Sequence, residues 1–238
     1  MSMDGWTPYC GAAPSPGEIM GRWNFDPPLI AALCLAGLIL GARRSNRPQA
    51  LLGLGVLTLI FVSPLCALSS ALFSARTVHH VLLLTLAAPL IAPSLPRIRG
   101  GLGAAIIAQS LVLWAWHAPA AYAWALSSDA GYWFMQASLF GSALWFWQAL
   151  RAASWLSAVA GLLAAMVAMG LLGAILTFSQ RPFYEPHQVS TLAWGLTPLD
   201  DQQAAGLIMW APAAAIYLIA ALWALGQGLA ARPREQPA

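Results

Sequence analysis

The soft metal ligands of this chain are few and specifically placed. His79 and His80 are adjacent in Val78-His79-His80-Val81, His117 closes Trp114-Ala115-Trp116-His117-Ala118-Pro119, and His187 sits in Pro186-His187-Gln188. Cys66 lies in Ser63-Pro64-Leu65-Cys66, Met135 beside Gln136, and Met209 in Leu207-Ile208-Met209-Trp210. Imidazole, thiol and thioether together suit a soft ion, Cu(I) above all, whereas hard oxygen ligands for Mg or Ca are scarce. His79 or His80, His117, Met135, Met209 and Cys66 therefore form a candidate copper site, provided the fold brings them to one depth. Neighbouring residues on a helix point about 100° apart, so only one of His79 and His80 is expected to face a given site.

The elements that must position these residues are membrane helices. Hydrophobic residues make up 60% of the 238 and charged residues 8%, against roughly a quarter charged in an average soluble domain. Apolar stretches run over 28–42, 49–72, 77–95, 102–118, 132–150, 156–178 and 204–228, most of them near the ~20 residues needed to cross hydrocarbon. The expectation is an all-α, seven-transmembrane-helix bundle over 27–229, with an N-terminal arm over 1–26 and a short tail over 230–238. The arm has no basic n-region and no apolar h-region, so no cleavable signal peptide is expected.

Arginine sets the orientation, because the chain has no lysine. Arg43, Arg44, Arg47, Arg97, Arg99, Arg151, Arg232 and Arg234 fall on one side of the expected bundle, and only Arg22, Arg76 and Arg181 on the other. The positive-inside rule makes the first side cytoplasmic, with the N-terminus in the periplasm of a bacterial inner membrane. All four histidines then lie near the periplasmic face. The segments as cut hold no Asp, Glu, Lys or Arg, which argues against an ion-driven carrier. The mildly basic balance reflects this asymmetry and gives no indication of nucleic acid.

Each candidate also has a structural reading. His117 is well placed to interact with a helix C-terminus, and His187 reads as a residue of a solvated loop. Asp200 followed by Gln203 matches a capping box, and Asp201 equally favours a helix start. Asp201 and Gln202 are supporting residues, Gln202 sharing a stripe with Gly206 and Met209. Met166 and Met169 read as core fillers, and Trp116, Trp124, Trp133, Trp155 and Trp194 as an interfacial belt. Two cysteine arrangements stay open. An oxidising compartment could join Cys10 to Cys66 and tie the arm down, which would remove Cys66 from the metal.

The segments Trp6-Thr7-Pro8-Tyr9-Cys10-Gly11, Ser74-Ala75-Arg76-Thr77-Val78-His79-His80-Val81-Leu82-Leu83, Trp116-His117-Ala118-Pro119 and Asp201-Gln202-Gln203-Ala204-Ala205-Gly206-Leu207-Ile208-Met209-Trp210 resemble the CtaG family of cytochrome c oxidase assembly factors. The resemblance runs over essentially the whole chain. It implies a seven-helix inner-membrane protein needed to make an active haem-copper oxidase of the caa(3) type, with copper supply the proposed role. The helix-three histidine of the family falls on His80, with His79 beside it, the Trp-His-x-Pro histidine on His117, and the acidic start of helix seven on Asp201 with Gln202 and Gln203. Many relatives carry histidines near the outer end of helix five, where this chain has Met135 and Gln136.

The expected function is thus a membrane assembly factor without catalytic chemistry. It would hold Cu(I) transiently at a partly open site, with a haem-copper oxidase subunit and a periplasmic copper chaperone as partners and membrane lipid around it. Two other classes fit the same residues: a metal-free scaffold or accessory subunit of the oxidase, and a haem-binding membrane protein using His80 and His117 as axial ligands.

Overall fold

The computed structural model describes residues 8–42 and 46–231. Trp6 and Thr7 of the arm, Arg43 and Arg44, and Arg232 and Arg234 of the tail lie outside the described residues. Within them the chain is helical, and no strand is present.

The helices start and stop where local chemistry permits. α1 (Pro27–Ala42) and α2 (Arg47–Val62) each begin with proline in the first turn, where its missing N–H has no helical partner to lose. α2 ends at Ser63, and the chain bends by 50° into α3 (Pro64–Ala71). The Ser63 hydroxyl accepts from the Leu65 amide and starts the new helix. α4 (Phe73–Ser94) contains a π-turn over Leu83–Ala87, just before Pro89. α5 (Leu102–His117) meets α6 (Pro119–Leu126) at a bend of 75°. α7 (Asp129–Ala152) and α8 (Trp155–Phe178) are capped by Ser128 and Ser154. α9 (Pro198–Ala230) has a second π-turn, Met209–Ala213, with Pro212 inside it. Each π-turn lies beside a proline, which cannot complete an ordinary i to i−4 ladder.

The membrane reading holds at a coarser level than seven spans. α4, α8 and α9 are long and apolar enough to cross a bilayer, and the bent pairs α2–α3 and α5–α6 raise that number to five if each pair is one span. α1 is apolar but only 16 residues long. α7 has 24 residues but is interrupted by Gln136, Ser138, Ser142 and Gln148. The outward surface carries large apolar side chains such as Leu38, Ile107, Leu111, Val167, Ile219 and Trp223. An apolar exterior of that extent suits contact with lipid or with other membrane helices.

Two expectations change here. The span beginning at residue 77 begins at Phe73, so Arg76 lies within α4 and is fully buried. Hydropathy stopped short of it because an arginine lowers any window that includes it. The cap of α9 is one turn earlier than Asp200 and Gln203. Thr197 is the N-cap, its hydroxyl accepts from the Asp200 amide, and the Asp200 carboxylate accepts from the Thr197 amide. Gln203 instead donates to the Ser179 carbonyl at 3.0 Å.

α4 and α7 run side by side in the same direction. Gln136 near the start of α7 meets His80 near the start of α4, and the Gln148 side chain bonds Ala92 in the last turn of α4 and Pro96 and Ile98 beyond it. One end of the bundle therefore gathers the histidines. The other carries Arg97 and Arg151, which line a cleft together with Gln148. α8 and α9 are antiparallel and cross at Gly173 and Gly206, where the backbones touch. A Cβ on Gly206 would stand 2.6 Å from the Gly173 carbonyl oxygen.

Close backbone approach through small residues is how membrane helices associate without a hydrophobic driving force between them. Gly206→Ala is expected to lower stability by about 1–3 kcal/mol, because backbone rather than a flexible side chain obstructs the new methyl. Gly226→Ala, with nothing within 4 Å of its position, should change little. Thermal unfolding of the two variants in detergent checks the contrast.

Candidate functional site

The histidine end is organised by a carboxylate. α4 starts in the interior, and its N-cap residue, Leu72, supplies no side-chain acceptor. Asp201 of α9 takes that role from 128 residues away. Its Oδ2 accepts from the Phe73 amide at 2.6 Å, and its Oδ1 accepts from the Ser74 amide at 3.1 Å and from the Ser74 hydroxyl. The first amides of a helix have no partner of their own and carry partial positive charge, so a buried carboxylate satisfies both needs. Asp201 was expected to cap its own helix; it caps α4 instead.

With α4 held, its histidines diverge as their helical spacing demands. The His79 ring packs edge-on to Phe61, with centroids 4.9 Å apart. His80 turns the other way. Its Nε2 lies 3.4 Å from the Gln136 amide nitrogen, and its ring centroid is 6.2 Å from that of His117. His117 closes α5, and its Nδ1–H donates to the Leu113 carbonyl at 2.7 Å. That bond leaves Nε2 of His117 with the lone pair. His80 and His117 are 3% and 6% exposed, so the partly open site expected from the sequence is closed.

Two covers close it. The N-terminal arm is tied down by a disulfide between Cys10 and Cys66. Tyr9 stacks on Tyr132 and meets Trp133 edge-on, both at 5.0 Å, and its hydroxyl donates to Asp26. The second cover is the segment from Ser179 to Thr197. Gln202 holds it, accepting from the Phe183 amide at 2.6 Å and donating to the Arg181 carbonyl at 3.2 Å. Tyr184 stacks on Phe73 at 3.9 Å and donates to the His117 carbonyl. Trp194 donates to the Pro14 carbonyl, joining the two covers.

His187 belongs to this second cover and is not solvated. It is buried, its Nδ1–H donates to the Ala71 carbonyl at 3.2 Å, and its Nε2 accepts from the Tyr122 hydroxyl at 2.7 Å. Both ring nitrogens are used, so the imidazole pins the loop to the end of α3 and to α6. Burial pushes its pKa down to about 3, with the Arg76 cation contributing in the same direction.

The remaining sequence candidates divide clearly. Cys66 is bonded to Cys10 and so presents no thiolate. Met135 and Met209 are buried in the apolar core, and Met209 packs where α9 crosses α8 at Gly173. Among the described residues, no three His, Cys, Asp or Glu side chains form a group able to hold a metal ion. What the structure does bring together is His80, His117 and Gln136, with His79 one ring away at 5.8 Å. Arg76, which the sequence reading put at this end but outside the apolar span, lies inside α4 and is buried. Its signal was present, since it precedes His79 and His80 by three and four residues, the spacing of one helix face.

A family model for cytochrome c oxidase caa3 assembly factors matches residues 102–230, more than half of the chain. No curated protein and no solved structure matches it.

Removing the trans cap should be costly. Asp201→Ala leaves the Phe73 and Ser74 amides buried without acceptors and is expected to destabilise the protein by about 2–3 kcal/mol, with Asp201→Asn intermediate. Unfolding midpoints in detergent measure both. His187 adds a pH dependence. Its imidazole binds a proton in the unfolded chain below about pH 6.5 and in the folded protein only near pH 3. The unfolded state thus takes up more protons between those values. The stability contributed by His187 is complete above about 6.5 and declines as the pH falls towards 3. Between pH 7.5 and 5 the wild-type midpoint should drop further than that of His187→Gln.

Proposed function

Because the chain belongs to the family of cytochrome c oxidase caa3 assembly factors, we propose that it helps to load copper into the haem-copper oxidase. His80 and His117 would hold Cu(I) in transit at the periplasmic end of a seven-helix inner-membrane bundle. In this reading the protein carries out no catalytic chemistry; copper is cargo, received from a periplasmic copper chaperone and passed to an oxidase subunit. The arginine count supports the orientation, since Arg97 and Arg151 cluster at the end opposite the histidines and positive charge favours the cytoplasmic face.

One observation supports the copper reading: the rings of His80 and His117 are neighbours, edge to face, with centroids 6.2 Å apart. Two imidazoles on one linearly coordinated ion, each nitrogen about 2 Å from the metal as in other first-row sites, would place their centroids at roughly that separation. A two-coordinate imidazole pair is an under-coordinated arrangement, suited to handing an ion on rather than to storing it. His79 is the next imidazole, its ring centroid 5.8 Å from that of His80. Met135 and Met209 would enter only if the core around them rearranged. Cys66 would enter only if its disulfide were reduced.

A second reading is favoured by a different observation. His187, Gln202 and Asp201 all spend their polar atoms on holding segments together, which suits a metal-free scaffold that docks on the oxidase through its helices.

Cu(I) stoichiometry on the purified protein under reducing conditions separates the two. About one copper per wild-type chain, lost in the His80→Ala, His117→Ala double variant, is the expected result. No copper in either protein would remove the delivery reading and leave the scaffold.

A further inference from the structure

The end of the bundle opposite the histidines holds a cleft of about 260 Å³, lined by the last turn of α4, by Leu95 and Arg97 of the loop that follows, and by Gln148 and Arg151 of α7. Both arginines are exposed. The buried side chain beneath them shapes the loop. Gln148 is 8% exposed; its Oε1 accepts from the Ile98 amide at 2.9 Å, and its Nε2 donates to the carbonyls of Ala92 at 3.0 Å and Pro96 at 3.2 Å. The bonds to Pro96 and Ile98 flank Arg97 and hold its backbone against α7. Further along the loop, Gly100 lies on the Trp145 ring with φ +138°, and a Cβ there would have no room. Trp145, Gln148 and Arg151 follow one another at intervals of three, on one face of α7. That face therefore supports the loop and also supplies the second guanidinium of the cleft.

An arginine near a helix C-terminus has a plain explanation, because it offsets the partial negative charge there. Arg151 is in the last turn of α7, and α4 ends beside it. The charges nevertheless do not cancel. Each helix end carries about half a negative charge, whereas two guanidiniums carry two positive ones, which leaves roughly one positive charge in excess. No described carboxylate removes it. Glu18, Asp26, Asp129, Glu185, Asp200 and Asp201 all lie at the histidine end.

The apolar part of the lining restricts the anion that fits. Ala92, Leu95 and Ala152 border the two arginines, and Leu86 of α4 and Ile98 of the loop are exposed. A phosphate ester with apolar tails satisfies both kinds of surface. Its oxygens accept from the planar guanidinium forks, and its tails remain against the apolar helices. A single negative charge matches the excess, while a zwitterionic headgroup would bring a further cation to a place already positive.

We propose that this cleft binds the phosphodiester of an anionic phospholipid, with Arg97 and Arg151 as the paired donors and Gln148 as the residue that positions Arg97. Basic pockets between membrane helices are suited to such headgroups. The inference rests on the chain being a membrane protein and is independent of copper.

The experiment uses full-length protein in a neutral maltoside detergent at constant ionic strength. Dioctanoyl phosphatidylglycerol is titrated in, with dioctanoyl phosphatidylcholine and inorganic phosphate as parallel titrants. The thermal unfolding midpoint and native mass spectrometry read binding. Wild type should show a saturable rise in midpoint and a bound lipid with phosphatidylglycerol, and neither with the other two. Arg97→Gln and Arg151→Gln should each weaken binding about fivefold, and the double variant about thirtyfold. Arg99→Gln removes an exposed arginine of the same loop that does not line the cleft, and should bind as wild type does. A loss in Arg99→Gln equal to that in Arg97→Gln would mean diffuse attraction to positive charge and overturns the proposal. Phosphatidylcholine or inorganic phosphate binding as tightly as phosphatidylglycerol overturns it too, as does a wild-type protein with no saturable response.

Discussion

The histidine end depends on one carboxylate that terminates a helix to which it does not belong. A helix starting in the interior of an apolar bundle leaves amides that neither water nor a local cap can reach, and each costs a kcal/mol or more if left unpaired. Asp201 accepts from Phe73 and Ser74, and this anchors the start of α4 against the start of α9. The positions of Arg76, His79 and His80 follow from that contact through helix geometry alone. Gln202, the next residue, carries the same function outward by holding the segment that covers His117.

The covers are built on the same economy of polar groups. The arm and the 179–197 segment bury few charges, yet nearly every imidazole, amide and hydroxyl they place inside finds a partner: His187 with Tyr122 and Ala71, Tyr184 with His117, Trp194 with Pro14. The disulfide between Cys10 and Cys66 fastens the arm covalently at the end of α2 and α3. The exceptions are spread along the bundle: Nδ1 of His80 and the oxygen of Gln136 are buried without hydrogen bonds at the histidine end, and the Ser94 hydroxyl and the Trp145 indole N–H at the other.

The imidazoles of His80 and His117, 6.2 Å apart, and the guanidinium of Arg76 one turn away on α4 share one buried end of the bundle, and the two covers are the parts of the structure whose release would expose it.

Much of the design was legible in the sequence because it depends on local properties. Low charge, long apolar runs and prolines at helix starts imply an all-helical membrane protein, and His79, His80 and His117 fall at one end by counting helices. The motifs at the starts of α4 and α9 carried the family resemblance for the same reason, being short and contiguous. What the chain could not show by itself were partnerships across long separations. The pairing of Cys10 with Cys66, the burial of His187, the reach of Asp201 to Phe73 over 128 residues and the turning of His80 rather than His79 towards His117 all depend on how helices pack. Arg76 was assigned to a loop because hydropathy averages along the chain and counts an arginine as exposed. The sequence by itself determined that the chain is helical and apolar enough for several membrane spans. Only the tertiary structure decided which polar groups meet there, because a buried polar atom takes its partner from whatever element is packed against it, near or far in sequence.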